Sequence, residues 1–146
     1  MQTFLPYSCF TQTARVLDPR RRNNQRSEAQ VLLKTLLGLY PEKNGRPGGW
    51  PRHPATKMWA GHEKALCRYA LSICAECPSA YLVSFFAEWR DRLPDTGDPS
   101  WLGVEDFHRS HRSNLLRKKP EWYRLLWPSE IDNLPYIWPR PERRAA

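Results

Sequence analysis

The chain has no apolar run approaching the roughly 18 residues a membrane span needs, and its N-terminus has no secretory apolar core. Both absences lead to the expectation of a soluble, cytoplasmic protein with no membrane partner. Cysteine is scarce. Cys9, Cys67, Cys74 and Cys77 are the only four, and in a reducing compartment they make no disulfide framework. Cys74-Ala-Glu-Cys77 has the spacing of half a zinc site, but no second CxxC or HxxxH follows at ligand spacing. Cys67, Cys74 and Cys77 instead fall on or near one helical face. That pattern predicts buried apolar thiols, with no metal and no cofactor. Internal repeats, low-complexity runs and clear strand pairs are also missing. No RRM, KH or double-stranded-RNA motif appears, which sets RNA binding aside.

What is present is apolar, aromatic and basic. Of 146 residues, 40% are hydrophobic and 12% aromatic, with seven tryptophans, enough for a real core and against global disorder. One domain over residues 1–146 is expected, all-α, acting as a monomer. A net charge of +8 and a pI near 9.6 favour an acidic partner.

Residues 1–7 are extended in character, and Phe4, Leu5 and Tyr7 should pack them onto the domain. Asp18 reads as an N-cap with Pro19 in the first helical position. Ala29, Leu32, Leu33, Leu36, Leu37 and Tyr40 then recur at helical spacing, until Pro41 and the glycines at 45–49 end the helix. Residues 42–54 form a turn-rich loop carrying Trp50, Arg52 and His53 between prolines. A long helix is expected over residues 55–77, with His62 as a satisfied core histidine. Ser79 would cap a further helix through Leu82, Phe85, Phe86, Trp89 and Leu93. After a loop at 94–100, Val104, Phe107, His108, His111 and Leu115 mark a shorter helix, basic on its other side. Residues 135–141 read as an extended tail on the surface.

The stretch that organises the chain is Arg20-Arg21-Arg22-Asn23-Asn24-Gln25-Arg26-Ser27-Glu28: four arginines and one carboxylate at the start of an apolar helix. Cations there attract a polyanion, and a helix N-terminus helps seat a phosphate. The expected DNA contacts are Arg20, Arg21, Arg22 and Arg26, then Arg52, His53 and Lys57. From the C-terminal half come His108, His111, Arg112, Asn114, Arg117, Lys118 and Lys119. Trp122 and Tyr123 join them as aromatic faces able to stack on an unpaired base, although with Trp127 they also serve to cap a core.

With these residues assembled, the chain resembles the pyrimidine-dimer DNA glycosylase family of the endonuclease V type, and more closely its actinobacterial and phage branch, whose members open with a sequence like MQTFLPY. Leu17-Asp18 through Arg26-Ser27-Glu28-Ala29 is similar to the family segment that holds the catalytic glutamate, and Glu28 takes that position. Trp50-Pro51-Arg52-His53-Pro54 resembles a family loop that usually ends in Asn-His-Pro, with Arg52 in place of the asparagine. Residues 111–118 with Pro120-Glu121-Trp122-Tyr123 are similar to the C-terminal helix and aromatic segment.

The resemblance implies a helical enzyme that excises a damaged or modified pyrimidine, a thymine dimer first among them, from double-stranded DNA and nicks the abasic site. An N-terminal α-amine would attack the sugar C1′ and form a Schiff base, assisted by Glu28. An α-amine with an ordinary pKa of about 7.7–8.0 keeps a neutral fraction at physiological pH, and nearby arginines, Arg26 among them, enlarge it. The chain departs from the pattern at residue 2. Family enzymes expose a small residue after methionine removal, whereas Gln2 is large, so Met1 is expected to be retained. The nucleophile is then the Met1 amine or water. The rival expectation is a non-catalytic DNA-binding protein on the same scaffold, which would gain nothing from Glu28.

Overall fold

The helix start expected at Asp18 forms as read. Pro19 occupies the first helical position, and the Asp18 carboxylate accepts the Arg21 N–H at 3.4 Å. In the computed structural model, which describes residues 2–140, this is the second of seven helices, with no strand among the described residues. They are α1 (Phe10–Val16), α2 (Pro19–Leu36), α3 (Pro54–Trp59), α4 (Glu63–Glu76), α5 (Ala80–Arg92), α6 (Glu105–Lys118) and α7 (Pro120–Leu126). The all-α expectation holds.

α4 is the hub, packed by α1, α2 and α5. Its Leu66, Tyr69, Ala70 and Ile73 are fully buried against Ala29, Leu32 and Leu33 of α2 and Leu82 and Phe86 of α5. Cys67 and Cys74 are buried thiols, and burial pushes Cys67 up to about 12. Cys77 is only half-buried, because α4 ends at Glu76 and leaves it in the connection to α5. Ser79 caps α5 by accepting the Leu82 N–H at 3.4 Å.

Two boundaries differ from the sequence expectation. The helix over residues 55–77 is two helices, because Gly61 adopts φ 85° after an extended Ala60, and a left-handed residue cannot continue a right-handed helix. α2 ends at Leu36, before Pro41, because Gly38 turns the chain at φ 67°. His62 follows the break, buried, with Nδ1 3.2 Å from the Gly97 carbonyl.

The feature that shapes the site is how both ends of the described chain dock on α6. The N-terminal segment is held within the core by side chains. Leu5 donates its N–H to His111 Nδ1 at 2.9 Å, and its carbonyl lies 2.8 Å from His108 Nδ1. His108 Nε2 accepts the Gly103 N–H, so its proton sits on Nδ1 and points at Leu5. His111, accepting at Nδ1, carries its proton on Nε2. The two imidazoles thus grip one residue from opposite tautomers. Trp59 Nε1 donates to Thr3 Oγ1 at 3.0 Å and Tyr69 Oη to the Phe4 carbonyl at 2.8 Å.

The C-terminal segment docks on the same helix. Ser113 Oγ accepts the Leu134 N–H at 3.0 Å, Asn114 Nδ2 donates to the Leu134 carbonyl at 3.0 Å, and Ser110 Oγ accepts the Ile137 N–H at 3.2 Å. These positions recur at three- and four-residue spacing, so they share one helix face.

Several expected DNA contacts are therefore corrected. His108, His111 and Asn114 are buried inside this clasp and present nothing to a phosphate. Tyr123 is fully buried, its hydroxyl donating to Asp18 Oδ1 at 2.5 Å and accepting the Asp18 N–H at 2.9 Å. Burial acts to raise the Asp18 carboxyl, but the bonds from Tyr123 and Arg21 outweigh it and hold the carboxyl below its ordinary value. Tyr123 caps the core; Trp127, stacked on it with centroids 5.2 Å apart, does the same.

Candidate active site

Glu28 lies one turn beyond Gln25 on α2, half-buried at the edge of the core. Its Oε2 accepts two hydrogen bonds, from the Gln2 backbone N–H and from Gln25 Nε2, each at 3.2 Å. Gln25 is itself fixed: its Oε1 accepts the Phe4 N–H at 2.9 Å and lies 2.8 Å from the Tyr69 hydroxyl. One carboxylate oxygen is thus tied to the protein frame. The carboxylate lines an open cavity of about 410 Å³.

Three elements build that cavity. The start of α2 supplies Arg20, Arg21, Asn24, Gln25 and Glu28; the N-terminal segment supplies Gln2 and Phe4; the C-terminal half supplies Lys118, Tyr136 and Trp138. Three cations, Arg20, Arg21 and Lys118, line the same cavity as this one carboxylate, Arg21 also pairing with Asp18 Oδ1 at 3.2 Å. Such a charge pattern attracts a polyanion, and a carboxylate stabilises positive charge that develops beside it. The Gln2 carboxamide is buried with neither its oxygen nor its nitrogen hydrogen-bonded.

The remaining arginines of the run serve the frame. Arg22 donates to the carbonyls of Ala14, Arg15 and Leu17, satisfying the C-terminal end of α1. Arg26 donates to the carbonyls of Cys77 and Pro78 at 2.6 and 2.8 Å and also bonds Asn23, at the end of α4. Spacing along α2 explains the division. Arg21 and Glu28 lie seven residues apart and share a face, whereas Arg22 and Arg26 turn toward α1 and α4.

The same sorting applies downstream. Arg112 is tied to Glu130 Oε2 at 3.3 Å, to the Pro6 carbonyl at 2.8 Å and to Glu105, with a side chain only 11% exposed. Arg117 holds the carbonyls of Asp132 and Leu134 and bonds Asn114. Trp122 donates Nε1 to the Val16 carbonyl at 3.0 Å and lies under Lys119, away from the residues that line the cavity. Lys57 is exposed on α3.

The loop before α3 adjoins the site where His53 meets Trp138. His53 caps α3 by accepting the Ala55 N–H at Nδ1, and its ring meets Trp138 edge-on with centroids 6.0 Å apart. Burial lowers the His53 pKa, which favours the neutral, accepting ring. Arg52 and a 55%-exposed Trp50 stand beside it on the outer surface. Met1, an expected catalytic residue, lies outside the described residues.

The sequence reading missed Gln25, Tyr136 and Trp138. Gln25 carried a signal, being three residues from Glu28 and so on its face. Tyr136 and Trp138 carried none, because only the docking of the tail on α6 brings them here.

The family model described as pyrimidine dimer DNA glycosylase matches residues 1–79. That span holds Gln2, Gln25, Glu28, Arg52 and His53. No curated protein and no solved structure matches the chain. No helix of the described residues is long and apolar enough to cross a membrane.

Proposed function

Because the chain belongs to the pyrimidine dimer DNA glycosylase family, we propose that the cavity at Glu28 is where it cuts a damaged pyrimidine, a thymine dimer first, from double-stranded DNA. The observation that carries this reading is the Gln2 N–H to Glu28 Oε2 bond at 3.2 Å. An amine on residue 1 is three bonds from the Gln2 nitrogen, which bond lengths keep within roughly 4 Å. In this reading a nucleophile bonded next to Gln2 and the Glu28 carboxylate share one site.

In the proposed reaction the neutral amine forms a bond to C1′. The C1′–N bond breaks, its electron pair leaving with the base, which takes up a proton. Opening of the sugar ring then gives an imine. Glu28 stabilises positive charge at C1′, takes the proton the amine sheds and returns it to the ring oxygen as the C1′–O4′ bond breaks; as a carboxylate again it takes a C2′ proton in the β-elimination that expels the 3′ phosphate and nicks the strand. Arg20, Arg21 and Lys118 bind phosphates beside the lesion, with Arg52 on the adjoining loop. If water attacks instead, Glu28 is its general base and the product is a free abasic site.

The test measures glycosylic-bond cleavage in a thymine-dimer duplex, read as thymine freed once the dimer is photoreversed, by wild type and Glu28→Gln, together with duplex affinity. The proposal expects cleavage to fall at least about 10²-fold with affinity retained. Equal cleavage by both proteins removes Glu28 from the chemistry. Absence of cleavage by wild type, with tight duplex binding, returns the protein to the class of non-catalytic DNA binders.

A further inference from the structure

The C-terminal segment lies outside the residues matched by the family model, yet it forms one wall of the Glu28 cavity. From this we propose that Tyr136 and Trp138 form a stacking wall for an unstacked nucleobase at the lesion, and that this wall sets the preference for damaged over intact DNA. The proposal rests on the active-site reading above.

The two rings are placed for this. Tyr136 is half-buried, backed by His111 at 5.6 Å and Phe4 at 6.5 Å between centroids. Trp138 follows at 5.7 Å from Tyr136 and is 37% exposed, so one ring is anchored in the core and the other reaches solvent. Both line the cavity that Arg20 and Arg21 of α2 also line.

The backbone that carries Tyr136 is also pinned. Three hydrogen bonds from Ser110, Ser113 and Asn114 fix the backbone on either side of Tyr136. A side chain held in place loses little freedom when a base stacks on it, so more of the stacking energy appears as affinity. Core packing alone does not require Trp138 to turn outward. A ring that served only the core would be covered, as Tyr123 and Trp59 are.

An undamaged duplex keeps its bases stacked and offers the wall nothing. A distorted or damaged step exposes a base face at lower cost. Stacking should thus add affinity only for the damaged duplex.

The test measures Kd for a thymine-dimer duplex and its undamaged counterpart by fluorescence anisotropy, in a Glu28→Gln background that leaves substrate intact. Trp138→Ala should weaken dimer binding about tenfold while the undamaged Kd changes less than twofold, and Trp138→Phe should restore most of the loss. Tyr136→Leu should act in the same direction. An unchanged discrimination ratio in Trp138→Ala, in a protein with wild-type Tm, overturns the proposal. So does an equal loss on both duplexes, which marks a general contact. If the parent protein shows no preference for the dimer and wild type cleaves no glycosylic bond in it, the active-site reading has failed, and the wall fails with it. Glycosylic cleavage without an effect of Trp138 sinks the wall alone.

Discussion

The Gln2 backbone N–H lies 3.2 Å from Oε2 of Glu28, which fixes the carboxylate against the second residue of the chain across a sequence separation of 26. The bond depends on an N-terminal segment whose polar groups are met by α2, α4 and α6, so the catalytic reading is also a statement about how that segment folds.

Gln25 should then matter to activity and to stability separately. Gln25→Leu removes the donor to Glu28 and the acceptor for the Phe4 N–H, and should cost about 1–3 kcal/mol for the buried group left unpaired. Gln25→Glu keeps the acceptor atoms but removes the donor and sets a second carboxylate beside Glu28. Single-turnover rates below each Tm should fall at least about tenfold in both. A rate equal to wild type in Gln25→Glu would show that Glu28 does not need its second donor.

The cations should separate by salt dependence. Arg20→Ala and Lys118→Ala should each lower the slope of log K against log salt by about one, as loss of one phosphate contact requires. Arg112→Ala should leave that slope alone and cost about 1–3 kcal/mol of stability, because the Pro6 carbonyl and Glu130 Oε2 lose their charged donor while Arg109 still holds Oε1. Anisotropy titrations at several salt concentrations, with thermal unfolding of each variant, distinguish the two groups. A slope change in Arg112→Ala would restore it as a phosphate contact.

The clasp should make the fold acid-sensitive. Burial, with the neighbouring His108 adding to it, pushes His111 down to about 3. The unfolded histidine titrates near 6.5. Above that pH both states are neutral and no stability is lost. Between about 6.5 and 3 the unfolded chain binds a proton the folded one lacks, so stability falls by about 1.4 kcal/mol per pH unit. Burial lowers His108 as well, in the same direction. Denaturant unfolding from pH 7 to 4 reads this slope, and His111→Asn, which cannot protonate, should reduce it by one proton.

Much of this was legible in the chain. Asp18-Pro19 marked the start of α2, and the spacing of Ala29, Leu32 and Leu33 gave its buried face. Glu28 at the edge of that face followed from the same period. What period could not give was the direction of each polar residue of α6. His108, Ser110, His111, Ser113 and Asn114 look like a DNA-facing helix in a basic chain, but they are buried donors and acceptors for two extended segments that have no strand partners among the described residues. Backbone groups of an extended segment must be satisfied somewhere, and here side chains do it. Composition does not reveal that need. The same holds for Arg22 and Arg26, whose partners are carbonyls at helix ends that only tertiary packing brings near.

Borohydride trapping on labelled duplexes tests the central claim most directly, one duplex with a thymine dimer and one with an abasic site, followed by intact-mass and peptide mapping. The account predicts a covalent adduct on the residue-1 amine with the dimer duplex, lost in Glu28→Gln. An adduct on a lysine elsewhere, or no adduct with either duplex together with no glycosylic cleavage of the dimer duplex, would contradict it.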